Sequence, residues 1–208
     1  MRKKPIQQRS RQMVNSIIEA TGRVIADGGL DAFNTNRVAE LAGISNGSLY
    51  QYFHDRTDLM EALLEKVGGD LMQSLNQVSK QIDVLGMELY AVVKLSLTQV
   101  LTFLRSDKLY PELIRNWHRL PLHRLLEPVE QYLLTTSRLY LQHRYENYPL
   151  KHLQTKLYVL VNGALFTMLR FLTQDNPFMK EEEVINCLVE NIVLSLEVGA
   201  QTSPTAAP

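Results

Sequence analysis

Residues 28–60, GGLDAFNTNRVAELAGISNGSLYQYFHDRTDLM, constrain the fold more than any other stretch of this chain. Asn34 can cap the free backbone N–H groups of a helix starting at Thr35, and Val38, Leu41 and Ala42 then recur at the i, i+3, i+4 spacing of an apolar stripe. Gly43, which adopts a left-handed backbone at little steric cost, ends that helix, and Ser45 caps the next. A 100° step per residue puts Leu49, Tyr52 and Phe53 on one face of the second helix and Gly47, Tyr50, Gln51 and His54 on the other. The spacing predicts a helix-turn-helix followed at once by the cap of a longer helix. Periodicity alone leaves two readings open: a helix presented to a DNA groove, and an ordinary polar helix face in a small bundle. The outer face suits close approach, since Gly47 has no side chain and the neighbouring amide, phenol and imidazole groups donate and accept hydrogen bonds.

The run Ala39-Glu40-Leu41-Ala42-Gly43-Ile44-Ser45, then Gly47-Ser48-Leu49-Tyr50-Gln51-Tyr52-Phe53, then Arg56 and Leu59, closely resembles the DNA-binding signature of the tetracycline-repressor (TetR) family of bacterial transcription regulators. The resemblance is ungapped and covers about the first quarter of the chain. It implies an all-α fold: a three-helix helix-turn-helix domain, residues 1–56, followed by a helical ligand-binding and dimerisation domain, residues 57–198, with helix 57–80 as connector and 199–208 as a disordered tail. It also implies that Thr35, Asn36 and Arg37 touch phosphates or nearby bases. Asn46, Gly47, Ser48, Tyr50 and Gln51 would lie in the major groove, with Ser45 and His54 at the edges of that surface. Tyr50 would hold a phosphate oxygen. Arg56 stands where the family usually has a backbone-anchoring lysine; it keeps the charge and adds a planar, bidentate contact. His54-Asp55 replaces the family's frequent Pro-Ser or Pro-Asn, and Asp55 can still cap a helix.

The 208-residue chain carries 22 basic and 22 acidic residues and is neutral overall, but the charge is unevenly placed. Eight basic and five acidic residues in 1–56 leave that part at +3 and the remainder at −3. Five of those basic residues, Arg2, Lys3, Lys4, Arg9 and Arg11, fall in the first eleven positions without an acid among them. Such an arm can lie along a DNA groove or be a plain solvated terminus. No apolar stretch follows it as in a secretory signal. The most apolar segment, Leu157 to Leu172, is interrupted by Asn162, Gly163 and Arg170 and falls short of the roughly 20 residues that a membrane span needs, so no membrane partner is expected. The single cysteine, Cys187, excludes an internal disulfide, fits a cytoplasmic setting and reads as inert core on an apolar helix face.

Strand signals are nearly absent. Helices are predicted at about 10–26, 57–80, 87–105, 109–118, 121–145, 150–173 and 180–197, besides the two short ones, with Pro111, Pro121, Pro149 and Pro177 at starts or breaks. Gly68-Gly69 in the middle of helix 57–80 cost about 1 kcal/mol each relative to alanine, so they mark a bend or a site of close packing.

The resemblance implies that the last two helices pair with a second copy as a four-helix bundle, which makes the chain a homodimer on a palindromic double-stranded operator. The candidate interface is Leu157, Leu160, Gly163 and Ala164 on one helix and Val184, Leu188 and Ile192 on the other. It further implies a small-molecule cavity among the C-terminal helices. Trp117, set among polar groups in Ile114-Arg115-Asn116-Trp117-His118-Arg119, is the leading candidate to line it, with Tyr110, His118 and Phe103. An apolar and aromatic lining suits a hydrophobic or amphipathic effector. Neither a catalytic constellation nor a metal-ligand spacing is visible among His54, His118, His123, His143 and His152, and no cofactor motif occurs, so an enzyme is not expected. The expected activity is that of a transcriptional repressor released from its operator by an effector; the competing reading is a helical module that binds protein.

Overall fold

The structure, a computed structural model, describes residues 4–145, 152–174 and 177–201. Among these residues there is no strand, and nine α-helices follow one another: α1 Lys4–Gly28, α2 Thr35–Leu41, α3 Asn46–Leu49, α4 Arg56–Leu85, α5 Leu89–Arg105, α6 Leu109–Arg115, α7 His123–Arg144, α8 Leu153–Thr173 and α9 Glu181–Gln201. Two 3-10 turns, Leu30–Ala32 and Trp117–Arg119, follow α1 and α6. Arg2 and Lys3 of the basic arm, Pro149 and the tail beyond Gln201 lie outside the described residues; Gly199, Ala200 and Gln201 continue α9.

The chain forms two compact units that are not consecutive stretches of sequence. The first comprises residues 1–70 and 104–126, the second residues 71–103 and 127–208. In the first unit α1 buries Ile17, Ile18, Ala20, Thr21 and Ile25 on one stripe, and the hydroxyl of fully buried Thr21 donates to the Ile17 carbonyl at 2.9 Å. That bond removes the penalty of burying a hydroxyl in an apolar stripe. α2 and α6 both pack on α1. The helix begins at Lys4, six residues earlier than predicted, so Arg9 and Arg11 project from a helix.

In the second unit, Leu89, Leu141, Leu153, Leu157 and Leu196 form one apolar cluster and Leu101, Met168, Ile185 and Val189 another. α5, α8 and α9 contribute to both. α8 starts at Leu153, three residues later than predicted. At 21 residues and a mean hydropathy of 1.2 it is, by length and composition alone, the one described helix long and apolar enough to cross a membrane. Its Leu153, Leu157, Ala164 and Met168 are nevertheless buried within the unit. Cys187 is exposed, contrary to the expectation of an inert core position.

α4 runs unbroken through Gly68-Gly69, so no helix break occurs there. The two glycines differ. A Cβ on Gly68 would meet Leu125 Cδ1 at 3.3 Å and the Leu125 carbonyl oxygen at 3.5 Å, whereas one on Gly69 would meet nothing within 4 Å. Close packing therefore accounts for the first glycine and leaves the second paying only its conformational entropy. Gly69→Ala should stabilise the protein by about 0.5–1 kcal/mol, while Gly68→Leu should destabilise it by about 1–3 kcal/mol through overpacking. Urea unfolding midpoints measure both; equal effects at the two positions would contradict the packing argument.

Candidate nucleic-acid interface

The two short helices are set by side chains close to them in sequence. Asn34 Oδ1 accepts from the Arg37 amide at 3.0 Å and Ser45 Oγ from the Ser48 amide at 3.1 Å, which satisfies one free donor at each helix start. Gly43 lies between them with φ +69°, and the Ile44 amide bonds the Ala39 carbonyl at 3.0 Å, closing the end of α2. A residue with a Cβ would be strained there. α2 turns Val38 and Ala39 into the core, α3 contributes fully buried Leu49, and Phe33 and Phe53 complete the packing.

The structure corrects three details of the sequence pattern. Leu41 is 50% exposed rather than part of the buried stripe, because Ala39 takes the inner face of a helix only seven residues long. α3 ends at Leu49, so Tyr50, Gln51 and Tyr52 follow in a turn closed by Tyr52 N to the Leu49 carbonyl at 2.9 Å. The 100° period does not extend through that turn, and Tyr52 is exposed instead of packed, while Phe53 still reaches the core.

Every residue singled out for DNA contact is exposed or partly exposed, and side chains tie the two short helices together. Thr35 Oγ1 and Tyr50 Oη lie 3.1 Å apart, and Asn46 Nδ2 donates to Asn36 Oδ1. Ser45 and Ser48 hydroxyls also pair at 2.9 Å. Gly47, Gln51, His54 and Arg37 remain exposed on the same stretch. At the start of α4, Asp55 Oδ1 accepts from the amides of Thr57 at 2.7 Å and Asp58 at 2.9 Å, while Asp58 returns the contact to the His54 amide at 2.9 Å. This reciprocal cap engages the Asp55 carboxylate with backbone donors. The Arg56 guanidinium lies 4.8 Å above the buried Phe33 ring, so the cation is held by packing yet stays at the surface. An open groove of about 520 Å³ lies between α1 and α2, lined by Arg23, Asp27, Arg37, Glu40 and Leu41 among others.

The candidates for effector contact divide between the units. Tyr110, Trp117 and His118 belong to the first and Phe103 to the second. Trp117 is half-buried and meets the His118 ring edge-on at 6.4 Å. Burial raises the Tyr110 phenol above its ordinary pKa, aided by the Asp70 and Asp107 carboxylates. Two groups that sequence reasoning passed over lie in the second unit. Tyr132 Oη and Asn186 Oδ1 are buried without a hydrogen-bond partner, a condition that costs about 1–3 kcal/mol per group. Nothing in their local sequence marks them, because neither belongs to a motif.

Among the proposed interface residues, Leu157 and Ala164 are buried inside the second unit. Leu160, Val184, Leu188 and Ile192 are half-buried, and Leu160 and Ile192 pack on the Leu157 cluster and Leu188 on the Met168 cluster. Leu157, expected at the interface, packs in the cluster with Leu89, Leu141, Leu153 and Leu196 of its own unit. The outward face of α8 carries Tyr158, Val159 and Gly163, and that of α9 carries Leu194.

Two short helices joined at Gly43, each side-chain capped and backed by an apolar core, define a helix-turn-helix domain. Residues 17–63 match the model of bacterial regulatory proteins of the tetR family, and this segment is similar to the DNA-binding part of that family. Over 107 residues it is 29% identical to the nucleoid occlusion factor SlmA of Actinobacillus pleuropneumoniae, covering 51% of this chain and 50% of that protein. The chain thus spans about half the length of the curated relatives it matches. In fold it is similar to a tetR-family transcriptional regulator from Streptomyces coelicolor, with a TM-score of 0.61, 18% identity and coverage of 95% and 84% of the two chains. It is also similar to RolR in complex with resorcinol, with a TM-score of 0.60, 18% identity and coverage of 97% and 100%.

Proposed function

We propose that the protein is a homodimeric transcriptional repressor that reads a palindromic operator with the segment Asn46 to Gln51 and is released by a small amphipathic effector in a cytoplasmic setting. The capped helix-turn-helix with its exposed Asn46, Gly47, Tyr50, Gln51 and Arg56 carries this reading. Affinity comes largely from Arg56, Arg37 and Tyr50 on phosphates, and selectivity from Asn46 and Gln51 at base edges, where an amide can pair with adenine in two places. Thr35 and Asn36 lie close enough to Tyr50 and Asn46 to aim them as well as to contact DNA. For the effector, Tyr132 and Asn186 are candidates within the second unit: a hydroxyl-bearing ligand that meets a buried unpaired oxygen removes a penalty that the free protein bears. Release then follows from tighter effector binding to the conformation that does not fit the operator.

The kinship with nucleoid occlusion factors supports a second reading, in which the protein binds specific DNA without a small-molecule effector. The two differ in whether candidate amphipathic compounds weaken DNA binding.

A gel shift on the DNA upstream of the protein's own coding region tests the main reading. Binding should weaken steeply with salt, Arg56→Ala should weaken it about equally on all sequences and lower the salt slope by about one, and Gln51→Ala should change base preference. Loss of all sequence selectivity in the unaltered protein would refute the proposal.

The dimer is proposed to form through the outward faces of α8 and α9, around Val159, Gly163 and Leu194. Val159→Asp should therefore give a monomer in sedimentation with its helix content intact. Leu157→Ala should instead lower stability by about 2–5 kcal/mol and leave the association constant of folded protein unchanged. A Val159→Asp protein that remains dimeric would exclude this face.

A further inference from the structure

Glu112 on α6 reaches back 82 residues in sequence to the turn that leads α1 into the DNA-reading segment. Its Oε1 accepts from the Leu30 amide at 3.1 Å and from Asn116 Nδ2 at 2.9 Å, while Oε2 takes the Arg115 guanidinium at 2.6 Å. The carboxylate side chain is only 16% exposed. Gly29 sits directly against it: with φ at +77°, a Cβ there would stand 3.4 Å from Glu112 Oε1. A second contact closes from the 3-10 turn after α6, where Arg119 Nη2 meets Asp31 Oδ1 at 2.6 Å, and this bond holds the Asp31 carboxyl below its ordinary pKa. Leu109 packs over Gly22 at the other end of the same stretch.

The two polar contacts are unequal. Asp31 and Arg119 are both well exposed, and such pairs contribute little because water screens them and two side chains must be ordered. The Glu112 bond is charge-assisted, partly shielded from water and made to a backbone amide at the first residue of the Leu30–Ala32 turn. Three residues separate Leu30 from Asn34, the cap of α2.

We propose that Glu112, assisted by Arg119, is a positioning residue of the DNA reader: by holding the turn 29–31 it sets the direction in which α2 and α3 leave α1. This rests on the DNA-binding reading above, but both residues lie outside the segment 17–63 that matches the family model. Glu112 contributes without touching DNA, by raising the fraction of molecules whose reader is already in the binding orientation, and apparent affinity scales with that fraction. An anionic side chain placed as a phosphate contact would do the reverse.

The test uses the full chain, its Glu112→Ala, Glu112→Gln and Arg119→Ala variants, and the upstream duplex that the unaltered protein shifts. Amide exchange at Leu30, affinity at several salt concentrations and the unfolding midpoint are measured together. Glu112→Ala should speed Leu30 exchange and weaken DNA binding about tenfold with an unchanged salt slope, since no phosphate contact is lost. Glu112→Gln retains an oxygen for the Leu30 amide and should stay within about twofold of the unaltered protein on both readouts. Arg119→Ala should weaken binding by about threefold or less, again with an unchanged slope. Full affinity in Glu112→Ala, or a loss as large in Glu112→Gln, would overturn the proposal. So would a slope lowered by about one in Arg119→Ala, which would make Arg119 a phosphate contact. If Glu112→Ala does not fold, Glu112→Asp, one methylene too short for the 3.1 Å bond to the Leu30 amide, should speed Leu30 exchange and weaken binding with an unchanged slope, and faster exchange at full affinity would overturn the proposal. If the unaltered protein selects no DNA, the DNA-binding reading fails, and Leu30 exchange alone shows whether Glu112 holds the turn.

Discussion

The buried stripe of α1 is the constraint on which the DNA-reading face depends. Ile17, Thr21 and Ile25 are fully enclosed, and α2 and α6 both rest on this helix. α3 has four residues and α2 seven, far too few to hold a helix in water without tertiary support. Their positions are borrowed from the longer helix behind them. The polar surface around Gly47 and its neighbouring amides is backed by buried Val38, Ala39, Leu49 and Phe53, with α2 packed on α1 and α3 on α2. The caps at Asn34, Ser45 and Asp55 then fix where each helix starts, each with a side-chain oxygen on backbone donors two or three residues away.

This locality explains what could be read in the sequence. Asn34, Gly43 and Ser45 specify the short helices through contacts within a few residues, so spacing reveals them directly. Phe53 and Leu49 were recognisable as core for the same reason. Tyr52 was not, because a helical period applies only while the helix lasts, and α3 gives way to a turn at Tyr50. Leu157 and Ala164 were readable as apolar positions on a helix, but a stripe does not say which neighbour covers it. For Leu157, α5, α7 and α9 of the same chain do so. The pairing of Glu112 with Leu30 is the extreme case: 82 residues apart, it follows from where α6 packs, and no local pattern encodes that. Tyr132 and Asn186 were equally silent, since burial of a polar atom is a property of the fold rather than of the segment.

The polar contacts of the first unit also divide by what they can influence. Thr35 with Tyr50 and Asn36 with Asn46 act within the reading surface and bear on which groups face a groove. Glu112 and Arg119 act on the turn before that surface and bear on its orientation as a whole. The former pairs are exposed and compete with water; the Glu112 carboxylate is sheltered and bonds three donors. In the second unit the balance differs, with apolar clusters carrying the packing and two buried oxygens left unpaired.

The central claim is that this surface reads DNA as one half of a symmetric pair. Sequencing the duplexes that the intact protein retains from a randomised pool tests it most directly. The account predicts an inverted repeat whose half-sites are centred about one helical turn apart or slightly more. Retention without any enriched sequence, or enrichment of a single unrepeated site, would contradict it.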